Sequence, residues 1–371
     1  MPQVSIVLPT FNRKATLMRA VRSILAQTYA AFELIVVDDG STDGSTDGLE
    51  RLDQRIKVLR RTNAGAAAAR NAGIAAARGK YLTFLDSDDE WFPNFLALTV
   101  GFLDRHPEEK MVATESLDVK PDGRQTRQDL HALAGHYVWL ARRLGSSDLE
   151  LPLGCEDDYL RVYQHRQPLG IWADEIAAAQ VATEGPIVWY SGRIHQKYRW
   201  GYFHALWCIL IKRELAIAVG PFAEQRRSCN DLEFLIKLAQ CATTNVIAVP
   251  CVRKNLVGTI DAAPQLSRGR AYADFCRNYA EIIRDQFLDK DPTNVELQRI
   301  YAFRCLEAAK AALGNGMRKE AGQYLRLAGA ALNWPSVWLL KTVTRCSITK
   351  EMAQLASKVY DRLESRFQWM V

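Results

Sequence analysis

The chain has 371 residues, of which 48% are hydrophobic and 24% charged, and its formal net charge is +6 at pH 7. This composition is typical of a soluble globular protein with room for one large core and a second, smaller domain. The basic excess is mild and spread along the chain, which argues against a nucleic-acid-binding protein but suits an anionic ligand or a membrane surface. No apolar run in the sequence approaches the roughly 18–20 residues that a membrane-spanning helix needs.

The eight cysteines form no C-x-x-C pair and show neither a disulfide nor a zinc pattern. Such cysteines are typical of reduced thiols in the cytosol. The sequence begins M-P-Q-V-S-I-V-L-P-T and lacks the charged segment that precedes the apolar stretch of a signal peptide. We therefore expect a cytoplasmic location.

The first quarter of the chain alternates between strand-like and helix-like segments. Short, continuous apolar runs are typical of buried strands in a parallel sheet. Four such runs occur, at residues 4–8, 32–37, 56–59 and 81–85. Helix-like segments lie among them at residues 16–26 and 63–78. This alternation predicts right-handed βαβ units whose strand ends lie along one edge of the sheet.

Carboxylates follow two of these predicted strands. Asp38 and Asp39 come after the second run, and Asp86, Asp88 and Asp89 come after the fourth. Ionised carboxylates are disfavoured in apolar surroundings and repel one another unless a cation lies among them. Oxygen ligands suit Mg²⁺ or Mn²⁺, which commonly bridges carboxylates to substrate phosphates. One acidic group would then hold the metal ion, while the other accepts hydrogen bonds from a base or a ribose.

Thr10 and Asn12 follow the first predicted strand, at the same edge of the sheet. Together with the two acidic groups, they predict a cradle for a nucleotide diphosphate. Neither G-x-x-x-x-G-K-[ST] nor G-x-G-x-x-G occurs in the sequence, so the phosphates would depend on the metal ion. The alternative interpretation is a pair of unrelated acidic turns that cap the helices after them.

Four motifs in residues 1–95 together resemble the family-2 glycosyltransferases: V-S-I-V-L-P-T-F-N-R, V-V-D-D-G-S-T-D, N-A-G-A-A-A-A-R-N-A-G and F-L-D-S-D-D. Members of this family are inverting enzymes that use a nucleotide-diphospho-sugar and have the GT-A fold. The resemblance therefore implies an α/β protein with a GT-A-type, Rossmann-like mixed sheet flanked by helices.

The same resemblance implies roles for individual residues. Asp39 would accept a hydrogen bond from the base, and Arg70 would lie near the base or the phosphates. Asp86 and Asp88 correspond to the outer positions of the D-x-D motif, and Asp88 would be the ligand of Mg²⁺ or Mn²⁺. The residues that the resemblance places at the donor nucleotide are Pro9, Thr10, Phe11, Asn12, Asp38, Asp39, Arg70 and Asp86.

A second group of motifs occurs further along the chain. V-G-P-F-A-E and then C-N-D-L-E-F-L-I-K-L-A resemble the family's segment that carries the catalytic base at the start of a helix. Asp231 matches the catalytic position, whereas Asn230 stands where family members usually have Glu. An inverting transfer needs a carboxylate that takes the acceptor's proton, and a helix N-terminus favours the ionised form. The alternative for Asp231 is an ordinary negative charge at the start of a helix.

Residues 191–204 combine cations with aromatic side chains. Four aromatic residues offer faces on which a sugar would stack, namely Tyr198, Trp200, Tyr202 and Phe203. The cations that would hold a departing diphosphate are Arg193, His195, Lys197, Arg199 and His204. An amphipathic pair of strands explains the same pattern equally well. Family members often carry a later His that reaches the metal ion or the diphosphate, and this sequence has none after His204. The candidates to replace that His are Arg253, Lys254 and Arg268.

The pattern changes to a helical one near residue 265. We expect a GT-A catalytic domain over residues 1–258, with a nucleotide-binding half (1–110) and an acceptor half (111–258), followed by an α-helical C-terminal region over 265–371. The last predicted helix, 350–369, is basic and amphipathic. It would pack on the catalytic domain or on a second subunit, or lie on an anionic membrane surface.

These features predict a metal-dependent inverting glycosyltransferase in cell-surface polysaccharide or glycan synthesis. The donor would be a nucleotide-diphospho-sugar, with a UDP-sugar as the first choice, and the acceptor would be a glycan or lipid-linked hydroxyl. Two other interpretations stay open, namely a catalytically silent nucleotide-sugar-binding protein and a nucleotidyltransferase. A homodimer and peripheral contact with the inner face of a membrane through the last helix also stay open.

Overall fold

The computed structural model describes residues 2–120, 123–128, 137–138, 140–149, 157–170, 172–173, 186–255 and 269–331. The chain divides into two compact units. The first unit contains Met1–His136 and Leu149–Asp261, and the second contains Tyr137–Asp148 and Ala262–Val371. All residues of the predicted site belong to the first unit.

The amino-terminal part of the first unit is a parallel sheet. Its strands are β1 (Val4–Thr10), β2 (Phe32–Asp38), β3 (Ile56–Arg60) and β4 (Tyr81–Phe84), with helix α1 (Leu17–Leu25) between β1 and β2 and helix α2 (Ala66–Ala76) between β3 and β4. β1 pairs in parallel with β2 and β4, and β2 pairs in parallel with β3. The predicted βαβ alternation is confirmed, and the carboxyl ends of β1, β2 and β4 lie side by side.

The rest of the first unit adds strands of both orientations. Its elements are β5 (Glu90–Trp91), α3 (Phe95–Arg105), β6 (Met111–Val119), β7 (Gln125–Gln128), β8 (His165–Pro168), β9 (Val188–Gly192), β10 (Ile209–Lys212), α4 (Arg213–Val219), α5 (Asn230–Cys241) and β11 (Thr244–Asn255). Within the described residues the sheet has 11 strands in the order β3-β2-β1-β4-β10-β6-β11-β9-β8, with β5 on β11 and β7 on β6. β10 is antiparallel to both of its neighbours, β4 and β6. The predicted mixed sheet flanked by helices is confirmed.

Dense packing of the helices on the sheet gives the strand ends fixed positions. Every residue of β1 and β2 is buried. α2 approaches β1 so closely that a Cβ atom at Gly73 would collide with the side chain of Val7. Because interiors packed this closely resist deformation, the loops after β1 and β2 start from strands with fixed positions.

The second unit is helical in the part that the structure describes. Its described helices include α6 (Gly269–Gln286), α7 (Val295–Gly314) and α8 (Arg318–Ala331). Asn294 caps α7, because its side-chain oxygen accepts a hydrogen bond from the Leu297 N–H at 3.1 Å. The predicted helical C-terminal region is confirmed here, whereas the predicted last helix, 350–369, lies outside the described residues. None of the helices described in the two units is long and apolar enough to cross a membrane.

Candidate functional site

Three loops meet at the carboxyl ends of β1, β2 and β4. Thr10, the last residue of β1, pairs in register with Asp38, the last residue of β2. Pro9 lies just before Thr10 inside the strand and is buried. The N–H of Asp39 donates to the Thr10 carbonyl oxygen at 2.9 Å and so joins the first two loops. Open α/β sheets bind their ligands outside the carboxyl ends of strands, which makes this edge the candidate site.

An asparagine fixes the loop after β1. Asn12 has a φ of 52°, a left-handed conformation that asparagine tolerates better than most residues. Its side-chain oxygen accepts a hydrogen bond from the Thr42 N–H at 2.8 Å, and its own N–H donates to the Ser41 hydroxyl at 2.9 Å. The loop presents Phe11, which is 45% exposed, next to the buried Thr10. The Thr10 hydroxyl has no hydrogen-bond partner among the described residues, so this buried polar group suits a ligand contact.

Asp38 stabilises the loop that follows β2. It is buried and accepts hydrogen bonds from the Ser41 N–H at 2.8 Å and from the Thr46 hydroxyl at 2.6 Å. Burial opposes its ionisation, but the hydrogen bonds from Thr46 and Ser41 outweigh burial and lower the pKa of Asp38 below its ordinary value. Both carboxylate oxygens of Asp38 therefore accept hydrogen bonds from its own loop and stabilise that loop's conformation.

Asp39 caps the helix α2. Its Oδ2 accepts hydrogen bonds from the Gly65 N–H at 2.7 Å and the Ala64 N–H at 3.1 Å. The Arg61 Nε lies 3.2 Å from its Oδ1. Gly65 has a φ of 94°, which a residue with a side chain rarely adopts, so the glycine lets the backbone turn its N–H toward the carboxylate. These contacts fix the direction of the Asp39 carboxylate at the edge of the sheet.

The loop after β4 pairs its carboxylates with arginine side chains. Arg70, on α2, donates from Nη2 to Asp86 Oδ1 at 2.7 Å. The Arg13 Nη2 lies 3.7 Å from Asp88 Oδ2. Arg70 is buried, whereas the Asp88 side chain is 45% exposed. The close ion pair thus belongs to Asp86, and Asp88 faces outward with a longer contact.

Two carboxylates of the same loop are harder to ionise than usual. Burial, reinforced by the charge of Asp86, raises the pKa of Asp88. Burial, together with the charges of Asp88 and Asp86, raises the pKa of Asp89 well above its usual value. Shifts in this direction follow from burial, which is complete only for Asp89, and from repulsion between neighbouring carboxylates. A divalent cation would relieve that repulsion.

The donors at Asp86 and Asp88 fit a divalent cation that also binds a diphosphate. Mg²⁺ commonly takes one or two carboxylates from the protein and completes its shell with phosphate oxygens and water. Among the residues that the structure describes, no three His, Cys, Asp or Glu side chains lie together as a metal-binding group. The site therefore fits a cation that binds with its substrate better than one held by the protein alone.

Arg70 also reaches the start of α5. Its Nη1 donates to Asn230 Oδ1 at 2.9 Å. One guanidinium thus joins the loop between β4 and β5 (residues 85–89, the acidic loop) to the helix that carries Asp231. Asn230 is buried, and its Nδ2 donates to the Arg226 carbonyl oxygen at 3.3 Å. Because this amide is neutral, the positive charge of Arg70 acts on Asp86 and Asp231 without competition from Asn230.

Asp231 is half-buried in the first turn of α5. The Tyr202 hydroxyl donates to its Oδ1 at 3.3 Å. Burial raises the pKa of Asp231, while the charge of Arg70 and the hydrogen bond from Tyr202 oppose that rise. A carboxylate with a raised pKa is a stronger proton acceptor, provided that it is still ionised at the working pH. Asp231 thus has the surroundings of a general base.

The sequence reasoning missed Arg13 and the contact that Tyr202 makes with Asp231. Arg13 directly follows the P-T-F-N segment, so its position in the sequence was a usable signal. Tyr202 lies in the aromatic stretch 191–204, but nothing in the sequence pairs it with Asp231. Lys254, one of the three candidates to replace the late His, acts on the acidic loop, because its charge lowers the pKa of Asp88 and of Asp89. Arg268 lies outside the described residues.

Of the four aromatic side chains predicted to stack on a sugar, those of Tyr198, Trp200 and Phe203 are buried, whereas that of Tyr202 is partly exposed. Tyr198 and Trp200 are fully buried and pack in the core. His204 is also buried and shares a 2.8 Å hydrogen bond with the Tyr198 hydroxyl. Burial lowers the pKa of His204 to about 4, so this ring is neutral at pH 7 and is not a cation for a diphosphate.

Comparison with known proteins identifies the amino-terminal part of the chain. Residues 5–157 match the family described as Glycosyl transferase family 2. A similar protein is the uncharacterized glycosyltransferase RC0461 of Rickettsia conorii, 39% identical over 106 residues, which are 28% of this chain and 18% of that protein. Another is the UDP-Glc:alpha-D-GlcNAc-diphosphoundecaprenol beta-1,3-glucosyltransferase WfgD of Escherichia coli, 43% identical over 102 residues, which are 27% of this chain and 40% of WfgD.

The chain thus spans less than half the length of these relatives. Among solved structures, the chain resembles S. aureus TarS 1–349 in complex with UDP-GlcNAc, with a TM-score of 0.57 and 16% sequence identity over 98% of this chain and 92% of that one. This likeness shows a shared fold, and the GT-A-type fold predicted from the sequence is confirmed.

Proposed function

We propose that the chain is a metal-dependent, inverting glycosyltransferase that moves a sugar from a nucleotide-diphospho-sugar to an acceptor hydroxyl. One observation carries the proposal. A single guanidinium, that of Arg70, binds Asp86 and Asn230 and so joins the acidic loop to the helix start where Asp231 lies. A general base beside a site for a metal ion and a diphosphate is the arrangement that this transfer needs.

The loops after β1 and β2 would hold the nucleotide. Asp39 would accept a hydrogen bond from the base, with a carboxylate that Ala64 and Gly65 already orient. The exposed ring of Phe11 and the buried hydroxyl of Thr10 would contact the nucleoside. Pro9, Asn12 and Asp38 would keep these loops in shape. WfgD has UDP-Glc as the donor in its name, which supports a UDP-sugar as the first choice.

Asp86 and Asp88 would hold Mg²⁺ or Mn²⁺ together with oxygens of the diphosphate. When bound, the cation would act as a Lewis acid toward the charge that develops on the departing diphosphate. Arg13 and Arg70 pair with these carboxylates in the structure and would hold positive charge beside the same diphosphate.

Asp231 would act as the general base. The acceptor oxygen would attack the anomeric carbon as the bond between that carbon and the diphosphate oxygen breaks, which inverts the configuration. The hydroxyl proton would pass to Asp231, and the electron pair of the broken bond would leave with the nucleoside diphosphate. The pKa of Asp231, which burial raises, suits this role because proton transfer to a stronger base is easier.

The biological setting rests on the relatives. WfgD has a diphosphoundecaprenol acceptor in its name, and this supports a glycan or lipid-linked acceptor in cell-surface polysaccharide synthesis. We include in the proposal a cytoplasmic location, a catalytic domain over residues 1–258 and a helical region over 265–371. Contact of residues 350–369 with a membrane or with a second subunit belongs to the same proposal.

A silent nucleotide-sugar-binding protein is the second candidate. The observation that favours it is Asn230, a neutral residue where the resemblance implies Glu. In that protein the donor would bind as described above, but Asp231 would not support transfer.

Calorimetry with a panel of UDP-, GDP- and dTDP-sugars, with and without Mn²⁺, tests the donor site. We expect one class of donor to bind with Mn²⁺, and Asp88→Ala to abolish the metal-dependent part. Asp104→Ala is the matched control, because Asp104 is a surface carboxylate that bonds the Tyr81 hydroxyl at the opposite end of β4. A folded wild-type protein that binds no donor would contradict the proposal.

Transfer measured with Asp231→Asn separates the enzyme from the silent protein. We expect the transfer rate to fall by about 10²–10⁴-fold, the usual contribution of a general base, while donor affinity stays the same. Wild-type protein that binds the donor but neither hydrolyses nor transfers its sugar would favour the silent protein.

A further inference from the structure

Two side chains that have no part in the proposed reaction contact the acidic loop between β4 and β5. One is Asn255, the last residue of β11. The other is Arg19, on α1. Both converge on the same two acceptors of this loop, the carbonyl oxygen of Asp88 and the carboxylate of Glu90.

Asn255 makes three contacts with the loop. Its Nδ2 donates to the Asp88 carbonyl oxygen and to Glu90 Oε1, each at 3.1 Å. Its backbone N–H donates to Asp89 Oδ1 at 3.2 Å. β11 also pairs with β5 through Arg253 opposite Glu90, so Asn255 stands at the point where the far strand meets the acidic loop.

Arg19 reaches the same two acceptors through one hydrogen bond and one ion pair. Its Nη2 donates to the Asp88 carbonyl oxygen at 3.2 Å, and its Nε lies 3.0 Å from Glu90 Oε1. The Oε1 atom of Glu90 is thus contacted by both side chains. The backbone of Asp88 is held by elements that are far apart in the sequence, while its side chain stays 45% exposed.

This arrangement matters because the loop carries several carboxylates close together. Asp86, Asp88 and Asp89 lie within four residues, and like charges this close repel one another. Repulsion favours conformations in which the carboxylates turn apart. A backbone held at the Asp88 carbonyl opposes that movement and keeps the Asp88 carboxylate aimed at one place.

We propose that Asn255 and Arg19, anchored on Glu90, are positioning residues that hold the Asp88 carboxylate ready for the divalent cation. The inference rests on the proposed function, since it concerns the cation that Asp86 and Asp88 would bind. Neither residue touches the substrate or the reacting atoms. Outer residues that orient a metal ligand typically change metal affinity by about 10–100-fold when they are replaced.

Asn245 provides a matched control on the same strand. Its Nδ2 also donates to one carbonyl oxygen and one carboxylate, those of Met111 and Glu109, both at 2.9 Å. It lies at the opposite end of β11 and is fully buried. Asn245→Ala therefore removes an equivalent set of contacts without touching the acidic loop.

The experiment titrates Mn²⁺ into the full chain in excess UDP and follows free Mn²⁺ by electron paramagnetic resonance, alongside thermal unfolding without metal. We expect Asn255→Ala to weaken Mn²⁺ binding at least about tenfold. Asn245→Ala should lower the melting temperature at least as much, yet bind Mn²⁺ as the wild type does. Arg19→Met removes the contacts of Arg19 with Asp88 and Glu90, and it should also weaken Mn²⁺ binding.

Each other outcome counts against the inference. Asn255→Ala with wild-type Mn²⁺ affinity would overturn it while the proposed function stands. Equal loss of Mn²⁺ affinity in Asn245→Ala would show that the effect is general destabilisation, which also overturns it. Wild-type protein that binds no Mn²⁺ in the presence of UDP would remove the metal from the proposed function, and the inference with it.

Discussion

The loop after β2 and the loop after β4 both place carboxylates at the same edge of the sheet, but their partners differ in kind. After β2 the donors are mostly local backbone groups and hydroxyls. Asp38 accepts from Ser41 and Thr46, and Asp39 accepts from Ala64 and Gly65. These donors are in place once the loop and α2 have folded.

After β4 the partners of Asp86 and Asp88 are long arginine side chains. Arg70 binds Asp86 at 2.7 Å, and Arg13 lies 3.7 Å from Asp88. The pKa shifts follow the same division, because hydrogen bonds lower the pKa of Asp38 against burial, whereas burial and the charge of Asp86 raise that of Asp88. Arginine side chains are able to change partners without unfolding the loop.

This difference separates the roles of the two loops. The carboxylates after β2 stabilise the local structure, whereas those after β4 are available to a cation. A carboxylate satisfied by fixed donors contributes to stability and to the shape of the nucleotide loop. A carboxylate that stays partly exposed and repelled gains most when a cation binds. Two similar acidic motifs in the sequence thus have different energetic roles at one edge of the sheet.

The largest expected effect tests this division directly through stability. Asp38→Ala should lower the free energy of unfolding by about 2 kcal/mol, because it leaves the Thr46 hydroxyl and the Ser41 N–H without their buried acceptor. Asp88→Asn should leave that free energy unchanged or raise it, since it removes a repelled charge. Urea unfolding of both variants at pH 7 measures the two values. Equal destabilisation by the two substitutions would mean that Asp38 and Asp88 contribute to stability in the same way.

A smaller effect concerns pH and extends the comparison to Asp231, whose pKa burial also raises. Transfer needs ionised Asp231, so the rate should fall as the pH drops through a pKa above the ordinary value of 3.8. The hydrogen bond from Tyr202 lowers this pKa. Tyr202→Phe should therefore move the acid limb of the pH–rate profile to higher pH, with little change at the plateau.

Tyr190→Phe is the control for the pH–rate experiment. The Tyr190 hydroxyl also donates to an aspartate, Asp157, at 2.8 Å, but that pair lies next to β8 and not at Asp231. Its acid limb should coincide with that of the wild type. An acid limb of Tyr202→Phe that also coincides with the wild type would mean that this hydrogen bond does not tune Asp231 in the working protein.

Much of the fold was predictable because its signals are local. The runs V-S-I-V-L and F-E-L-I-V-V are apolar throughout, and strands buried on both faces need that pattern. Loops after such strands must meet at one edge, which is why Thr10, Asp39 and Asp86 were expected together. The insertion of β10 between β4 and β6 was not predictable, because pairing between strands so distant in sequence leaves no local pattern.

The partners of the site residues were the part that sequence reasoning did not reach. Arg70 and Asn230 are 160 positions apart, and their hydrogen bond depends on how α2 and α5 pack on the sheet. Burial was equally hidden, since Tyr198 and Trp200 look like sugar-stacking residues until the core is known. Asn255 stood in no motif, and only the tertiary structure places it against Asp88.

The smallest expected effect is that of Arg13→Met on stability. Its contact with Asp88 is long and partly exposed, and exposed ion pairs contribute about 0–1 kcal/mol, so urea unfolding should show a change within about 0.5 kcal/mol. Donor affinity should nevertheless fall, and should fall less at high salt, because the charge of Arg13 acts on the diphosphate through solvent. Calorimetry at two salt concentrations measures this. A loss of stability as large as that of Asp38→Ala would mean that Arg13 is a fixed partner like Ser41 and Thr46, and the loop after β4 would then be scaffold as well.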